Sequence, residues 1–139
     1  MSDWNDMIIA EFRANGGTVE RFGRNLVIMH TLGAKSGEER LNPAMGIPED
    51  GAWLVAATAA GHPSDPAWAH NLRAHPDLDV EVAGAVGING VDTVAVHAEE
   101  LPEPARSVGW EKFKAASPGF ASYEEKTDRE FPIFKLSPR

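Results

Sequence analysis

The residues best suited to holding an anion sit in one short stretch, Gly33-Ala-Lys-Ser-Gly37, with Arg40 just beyond it. Glycines let the backbone come close to a ligand, and Lys35, Ser36 and Arg40 carry donors that match phosphate or carboxylate. The same pattern also makes an ordinary hairpin tip. A second polar cluster, Asp65-Pro-Ala-Trp68, reads first as a helix start, with Asp65 at the cap and Pro66 in the first turn. The histidines at 30, 62, 70, 75 and 97 are scattered, and His70 and His75 lack the i, i+4 spacing of a helical metal pair, so no metal site is expected. There are no cysteines, which removes disulfides, thiolate metal sites and a cysteine nucleophile. Neither a Gly-x-Ser-x-Gly elbow nor a Walker-type loop occurs. Redox chemistry on this chain must use a borrowed cofactor.

The elements that would position these residues follow from apolar spacing. Trp4, Met7, Ile8 and Phe12 predict a helix over 3–15, capped by Ser2 or Asp3, ended by Gly16-Gly17, and using that face for core packing. Asp3, Asp6 and Glu11 outnumber Arg13 and argue against a membrane-surface role. A strand over 25–32, the Lys35 turn, an extended stretch over 40–45, a turn over 48–51 and a strand over 52–58 predict an antiparallel meander. A short helix opened by Asp65 runs through Trp68, Asn71 and Leu72 and stops before Pro76. Leu78, Val80 and Val82 alternate with Asp79 and Glu81, as in a half-buried strand, and another strand follows over 91–99. Helices over 102–116, weakened by Gly109, and from Pro118 through Phe120 and Tyr123 precede a final strand over 131–136. The strands lack the β-then-α alternation of a parallel sheet, so a single domain over 1–139, an antiparallel barrel with peripheral helices, is expected.

Composition narrows the function classes. The chain of 139 residues has a net charge of −8 and no run of lysine or arginine, which excludes nucleic acid as an expected partner. Its start is acidic where a signal peptide is basic, and no apolar run reaches membrane-spanning length, so a cytoplasmic location without stable membrane insertion is expected. The cations are uneven: Arg13, Arg21, Arg24, Lys35 and Arg40 all fall in the first third.

Taken together, these segments resemble the family of F420-dependent (deazaflavin-dependent) nitroreductases and quinone reductases over nearly the whole chain. The resemblance is carried by Ile9-Ala-Glu-Phe-Arg-Ala-Asn-Gly-Gly17, by Thr31-Leu-Gly-Ala-Lys-Ser-Gly37 with Arg40 and Pro43, and by Pro66-Ala-Trp-Ala-His-Asn-Leu72. It continues through Ser117-Pro-Gly-Phe-Ala-Ser-Tyr123 and Thr127-Asp-Arg-Glu-Phe-Pro132. It implies a mainly β fold with α elements, a split antiparallel β-barrel like that of the FMN-binding pyridoxamine-oxidase proteins, and reduced coenzyme F420 as hydride donor. It further implies that Lys35, Ser36 and Arg40 follow the cofactor's phosphate and oligoglutamate side. Pro43 and the backbone of Ala56, Ala57, Thr58, Ala59 and Ala60 would line the ring, with Ala67, Trp68 and Asn71 completing the wall.

Ser117, Phe120 and Tyr123 match the family's substrate-facing positions, and Tyr123 or Thr58 is the implied proton donor. Phe120 and Tyr123 fit core packing equally well. The chain departs from the family at Ala34, where an arginine is common, at Thr58-Ala59, and in keeping a single tyrosine. The implied substrates are small apolar electrophiles: quinones, conjugated lactones and enones such as coumarins or aflatoxins, and nitroaromatics. The rival readings are a non-catalytic barrel that carries or senses F420, FMN, haem or lipid, and an FMN oxidase. Either a monomer or a homodimer is expected, and the site requires the Lys35 turn and the Trp68–Asn71 helix to converge on one groove.

Overall fold

A computed structural model describes residues 3–20, 23–84 and 91–139; the candidate cap Ser2 and the cation Arg21 lie outside the described residues. Four helices, α1 (Asp3–Ala14), α2 (Ala67–Ala74), α3 (Ala105–Ala116) and α4 (Pro118–Glu124), surround six strands. The strands are β1 (Leu26–Leu32), β2 (Glu39–Glu49), β3 (Ala52–Ala56), β4 (Asp77–Ala83), β5 (Val91–Glu100) and β6 (Ile133–Pro138). They close in the order β1-β2-β3-β6-β5-β4, and every ladder is antiparallel. This is the mainly β barrel with peripheral helices that the patterning predicts.

At β1 and β3 both faces of the barrel wall are covered, which explains why these strands read as continuous apolar runs, whereas β5 keeps an exposed outer face. Val27 and Met29 of β1 point into the barrel with Val55, Val80, Val96, Phe134 and Leu136. Their neighbours Leu26 and Ile28 point outward, against Ile8, Ile9 and Phe12 of α1. On the other side Leu54 and Ile133 pack outward on Trp110 and Phe113 of α3. Gly109 belongs to that contact: a Cβ there would sit 3.3 Å from Ile133 Cγ2, so the residue that weakens the helix is also the one that lets it lie close to β6.

Three local expectations are corrected. β2 runs through both of its prolines to Glu49, and the hairpin turn is confined to Asp50 and Gly51. The N-cap of α2 is Pro66 and not Asp65, whose carboxylate is held by Arg73 and Arg129 instead. The α1 face is only partly core: Ile8 and Phe12 are buried, but Trp4 and Met7 are 49% and 67% exposed.

The pairing of β2 creates a split. Residues 39–45 pair with β1, and only from Gly46 onward does β2 pair with β3. Pro43 therefore lies where its missing N–H deprives no ladder of a donor. Beyond Ala56, β3 gives way to the loop at Thr58–Gly61, so β2 and that loop diverge and leave an opening.

Candidate functional site

That opening is a groove of about 340 Å³ bordered by Pro43, Ala44 and Met45 of β2 on one side and by Ala56, Thr58, Ala59 and Ala60 on the other. Trp4 of α1, Trp68 of α2, Phe113 of α3, and Phe120 and Tyr123 of α4 complete it. Its side chains are apolar or aromatic apart from Thr58 and Tyr123, and polar atoms share the surface with them about equally, a mixture that suits a planar ligand with polar edges. Trp68 is backed by Phe134, ring centroids 6.1 Å apart, and Phe120 by Trp110, Phe113 and Tyr123 in edge-on contacts at 5.3 to 6.0 Å. Phe120 and Tyr123 thus pack on the α3 cluster and border the groove at once.

Lys35, Ser36 and Arg40 do not line this groove, but their turn is tied to the helix that carries Trp68 by a buried polar chain. The Ala34 amide donates to Asn71 Oδ1 at 2.9 Å, Asn71 Nδ2 donates to Thr31 Oγ1 at 3.1 Å, and Thr31 Oγ1 donates to Asn42 Oδ1 at 2.7 Å. Trp68, one helical turn before Asn71, faces the groove, so a single short helix links the turn to the slot. Within the turn Ser36 Oγ accepts the Glu38 amide hydrogen at 3.2 Å, and Lys35 is exposed without a carboxylate partner among the described residues. Arg40 is exposed and pairs with Glu38 at 3.1 Å.

The remaining candidates lie apart from the groove wall. Ala57 is fully buried in the barrel core, and its amide donates to the Pro132 carbonyl at 2.8 Å. Ala67 is exposed at the start of α2, and Ser117 is the half-buried residue before α4. Asn71 is 7% exposed, with its carboxamide engaged on both sides as above. The cation cluster of the first third also divides: Arg13 is spent on Glu81, and Arg24 on Thr18 Oγ1 and the Gly84 carbonyl, which leaves Lys35 and Arg40 at the turn.

The sequence reading missed Ala44, Met45, Trp4 and Phe113 as groove residues. Pro43 had announced that part of β2, and helical spacing had assigned Trp4 to the core because spacing alone does not say where a helix overhangs its sheet.

The Thr58–Gly61 loop has unusual backbone. Thr58 is helical at φ −82°, ψ −31°, Ala59 and Ala60 have φ of 48° and 54°, and Gly61 has φ 84°. Gly61 is also tightly covered: a Cβ would lie 2.9 Å from Lys126 Cδ and 3.2 Å from the Tyr123 carbonyl oxygen, which ties the loop to the end of α4. Thr58 is 8% exposed, and its hydroxyl makes no cap hydrogen bond.

Residues 6–138 match the family model described as F420H(2)-dependent quinone reductase. The chain belongs to that family. The F420H(2)-dependent quinone reductase of Mycobacterium tuberculosis is 28% identical over 130 residues, 88% of this chain and 84% of that one. A solved structure named as an F420-H2 dependent reductase is 33% identical, with a TM-score of 0.69, covering 82% of this chain and 95% of its own. Another, described as a domain-swapped dimer, is 32% identical with a TM-score of 0.71 and covers 97% and 98%. A structure from Listeria innocua with the pyridoxamine 5′-phosphate oxidase name shares the fold alone, at 12% identity and a TM-score of 0.59, over 99% of this chain and 94% of its own.

As a member of the F420H(2)-dependent quinone reductase family, the chain is an oxidoreductase whose hydride donor is reduced coenzyme F420. The residues present fit that group. A slot walled by aromatic side chains and a turn with an exposed, carboxylate-free lysine are both tied to α2, through Trp68 and Asn71, so a planar ring and an anionic tail each have a matching surface.

Proposed function

We propose that the chain is a cytoplasmic F420H2-dependent reductase that transfers hydride to small apolar electron-poor molecules, quinones first and conjugated lactones or enones next. The observation that carries this reading is the groove between Pro43–Met45 and Ala56–Ala60, walled by aromatics and joined through Asn71 to the Lys35 turn. Lys35, Ser36 and Arg40 would hold the cofactor's tail, and Pro43, Ala56, Thr58 and Trp68 would hold its ring. Asn71 and Ala57 serve from behind, as supports of the turn and of the loop.

When bound, reduced F420 supplies a hydride, two electrons with one proton, to an electron-poor carbon of the acceptor. The chain supplies the rest. Trp4, Phe113, Phe120 and Tyr123 form an apolar edge that orients a flat acceptor and displaces water from it. Addition of hydride leaves negative charge on the acceptor oxygen, and the Tyr123 phenol or the Thr58 hydroxyl donates the proton that neutralises it. The many apolar groups and few hydroxyls support quinones and conjugated lactones over bicyclic nitro compounds.

Two measurements test the reading. Menadione turnover with reduced F420 separates an enzyme from a carrier. Titration with oxidised F420 at two salt concentrations, beside parallel titrations with FMN and haem, identifies the ligand. Binding is expected to weaken as salt rises, because an anionic tail is screened from Lys35 and Arg40. Lys35→Ala is expected to weaken binding at low salt and to converge on the wild type at high salt. No F420 binding, or tighter binding of FMN or haem, would overturn the proposal.

A further inference from the structure

Ala59 and Ala60 both adopt left-handed backbone, a conformation that costs an L residue about 1–2 kcal/mol. Two such residues in succession persist only where surrounding bonds hold them. Arg129, from the segment between α4 and β6, provides those bonds. Its Nε donates to the His62 carbonyl at 3.0 Å, its Nη1 to the Ala57 carbonyl at 3.2 Å and to Asp65 Oδ1 at 2.5 Å, and its Nη2 to the Thr58 carbonyl at 2.8 Å. The guanidinium carbon lies 4.7 Å from the Phe131 ring centroid. The Arg129 and Asp65 side chains are only 14% and 18% exposed, and Asp65 is itself steadied by Arg73 at 3.0 Å. A planar fork of five donors can bridge both sides of a loop in this way, and a lysine cannot.

The clamp has a directional consequence. A trans peptide points its N–H opposite to its C=O. With the Ala57 and Thr58 carbonyls turned to Arg129, the amide hydrogens of Thr58 and Ala59 face the other way. The Ala59 carbonyl accepts the His62 amide hydrogen at 3.1 Å, which likewise turns the Ala60 amide away from the loop interior. Among the described residues these three amides donate to no protein acceptor. Thr58, Ala59 and Ala60 border the groove, whereas Arg129 borders a separate polar pocket with Arg106, Trp110 and Glu124. Arg129 thus stands behind the loop, and the amides lie on its groove side. Thr58 is buried, Ala59 half-buried and Ala60 exposed, so the first two donors most need an acceptor, and the described residues offer none.

We propose that Arg129, seated by Asp65, is a positioning residue for the reaction: it fixes the Thr58–Ala60 backbone so that its amide hydrogens meet carbonyl oxygens on the edge of the flat ring bound in the groove. The inference rests on the F420 reading of that groove and adds to it a residue outside the groove that sets the ring's hydrogen bonds.

The experiment uses the full chain and its Arg129→Lys and Asp65→Asn variants. F420 titration is measured at two salt concentrations, with menadione kinetics and thermal unfolding alongside. Arg129→Lys is expected to raise the F420 dissociation constant by about tenfold while leaving its salt dependence unchanged, since the Lys35 turn is untouched. Asp65→Asn is expected to shift it in the same direction and less. A residue that only stabilised the fold would lower the melting temperature and the active fraction, and would leave the dissociation constant of the folded protein alone.

In the wild type, the Ala59 and Ala60 amide protons are expected to move downfield in NMR spectra when F420 is added. Amides that do not respond to saturating F420 would overturn the inference even where both variants fail to fold. So would an Arg129→Lys protein that binds F420 within about twofold of wild type. Wild-type protein that does not bind F420 overturns the cofactor reading itself, and the positioning role with it.

Discussion

The carboxamide of Asn71 accepts the amide hydrogen of Ala34 at 2.9 Å while its own Nδ2 donates to Thr31 at 3.1 Å, so one buried side chain joins α2, β1 and the Lys35 turn. Replacing it with leucine keeps the branching of the side chain but strands the Ala34 donor, at a cost of about 1–3 kcal/mol. Asn71→Leu is therefore expected to lower the melting temperature and to loosen the turn. F420 affinity should then fall and its salt dependence flatten, as Lys35 loses its fixed place. Thermal unfolding with the two-salt titration checks this; an unchanged salt dependence would show that the turn is held by other contacts.

Proton donation is tested separately from binding. The Tyr123 and Thr58 side chains both border the groove, and neither hydroxyl makes a protein hydrogen bond among the described residues. Tyr123→Phe and Thr58→Val keep the shape and remove one hydroxyl each. The true donor's variant is expected to lose about 10²-fold in kcat with little change in KM, the usual contribution of a positioned acid. The other variant should retain most of its turnover. If both variants and their combination turn over menadione at the wild-type rate, water supplies the proton.

Much of this arrangement was legible in the sequence because it depends on local signals. The β1–β3 meander, the Pro118 start of α4 and the alternation in β4 each follow from spacing and turn chemistry. The split in the barrel was implied by the family resemblance alone, since Pro43 and Pro48 both sit within ladders, opposite Ile28 and Trp53. What could not be read were relationships between distant segments. Asp65 looks like a helix cap until Arg129, 64 residues away, claims its carboxylate. Glu81 looks like the solvent side of an alternating strand until Arg13 and His30 arrive from α1 and β1. Asn71 gives no sign in the sequence of its hydrogen-bond partners Ala34 and Thr31, 37 and 40 positions away.

The Glu81 cluster makes stability depend on acid. Glu81 is buried on β4, with Arg13 Nε and Nη2 on its carboxylate at 2.9 and 2.6 Å and His30 Nε2 at 2.6 Å. The Arg13 hydrogen bonds hold its pKa below the ordinary glutamate value of 4.5, against desolvation and with help from His30. A carboxylate whose folded pKa is depressed stabilises the fold fully above its unfolded value, and that contribution is lost as pH falls through the lowered one. The wild type is thus expected to lose stability progressively below about pH 4.5. Glu81→Gln should cost about 1–3 kcal/mol at neutral pH, and the gap from wild type should shrink in acid. Urea unfolding at pH 7 and pH 4 measures both; a gap that persisted undiminished in acid would assign the loss to packing.

Trp4 is the groove residue that sequence spacing had placed in the core. It stands at the first turn of α1, 49% exposed, and borders the same opening as Phe120 and Tyr123. A side chain in that position contributes little to the fold and much to what the groove admits, because the apolar anchor of α1 is supplied further along by Ile8, Ile9 and Phe12. Removing it should expose the bound acceptor to water without disturbing the slot between β2 and the Thr58 loop. Trp4→Ala is expected to raise KM for menadione several-fold, about 1 kcal/mol of lost apolar contact, with F420 affinity and melting temperature close to wild type. The effect should grow with the size of the acceptor, so a quinone with a longer alkyl chain should suffer more than menadione. An equal loss for both acceptors would mean that Trp4 acts on the ring and not on the substrate.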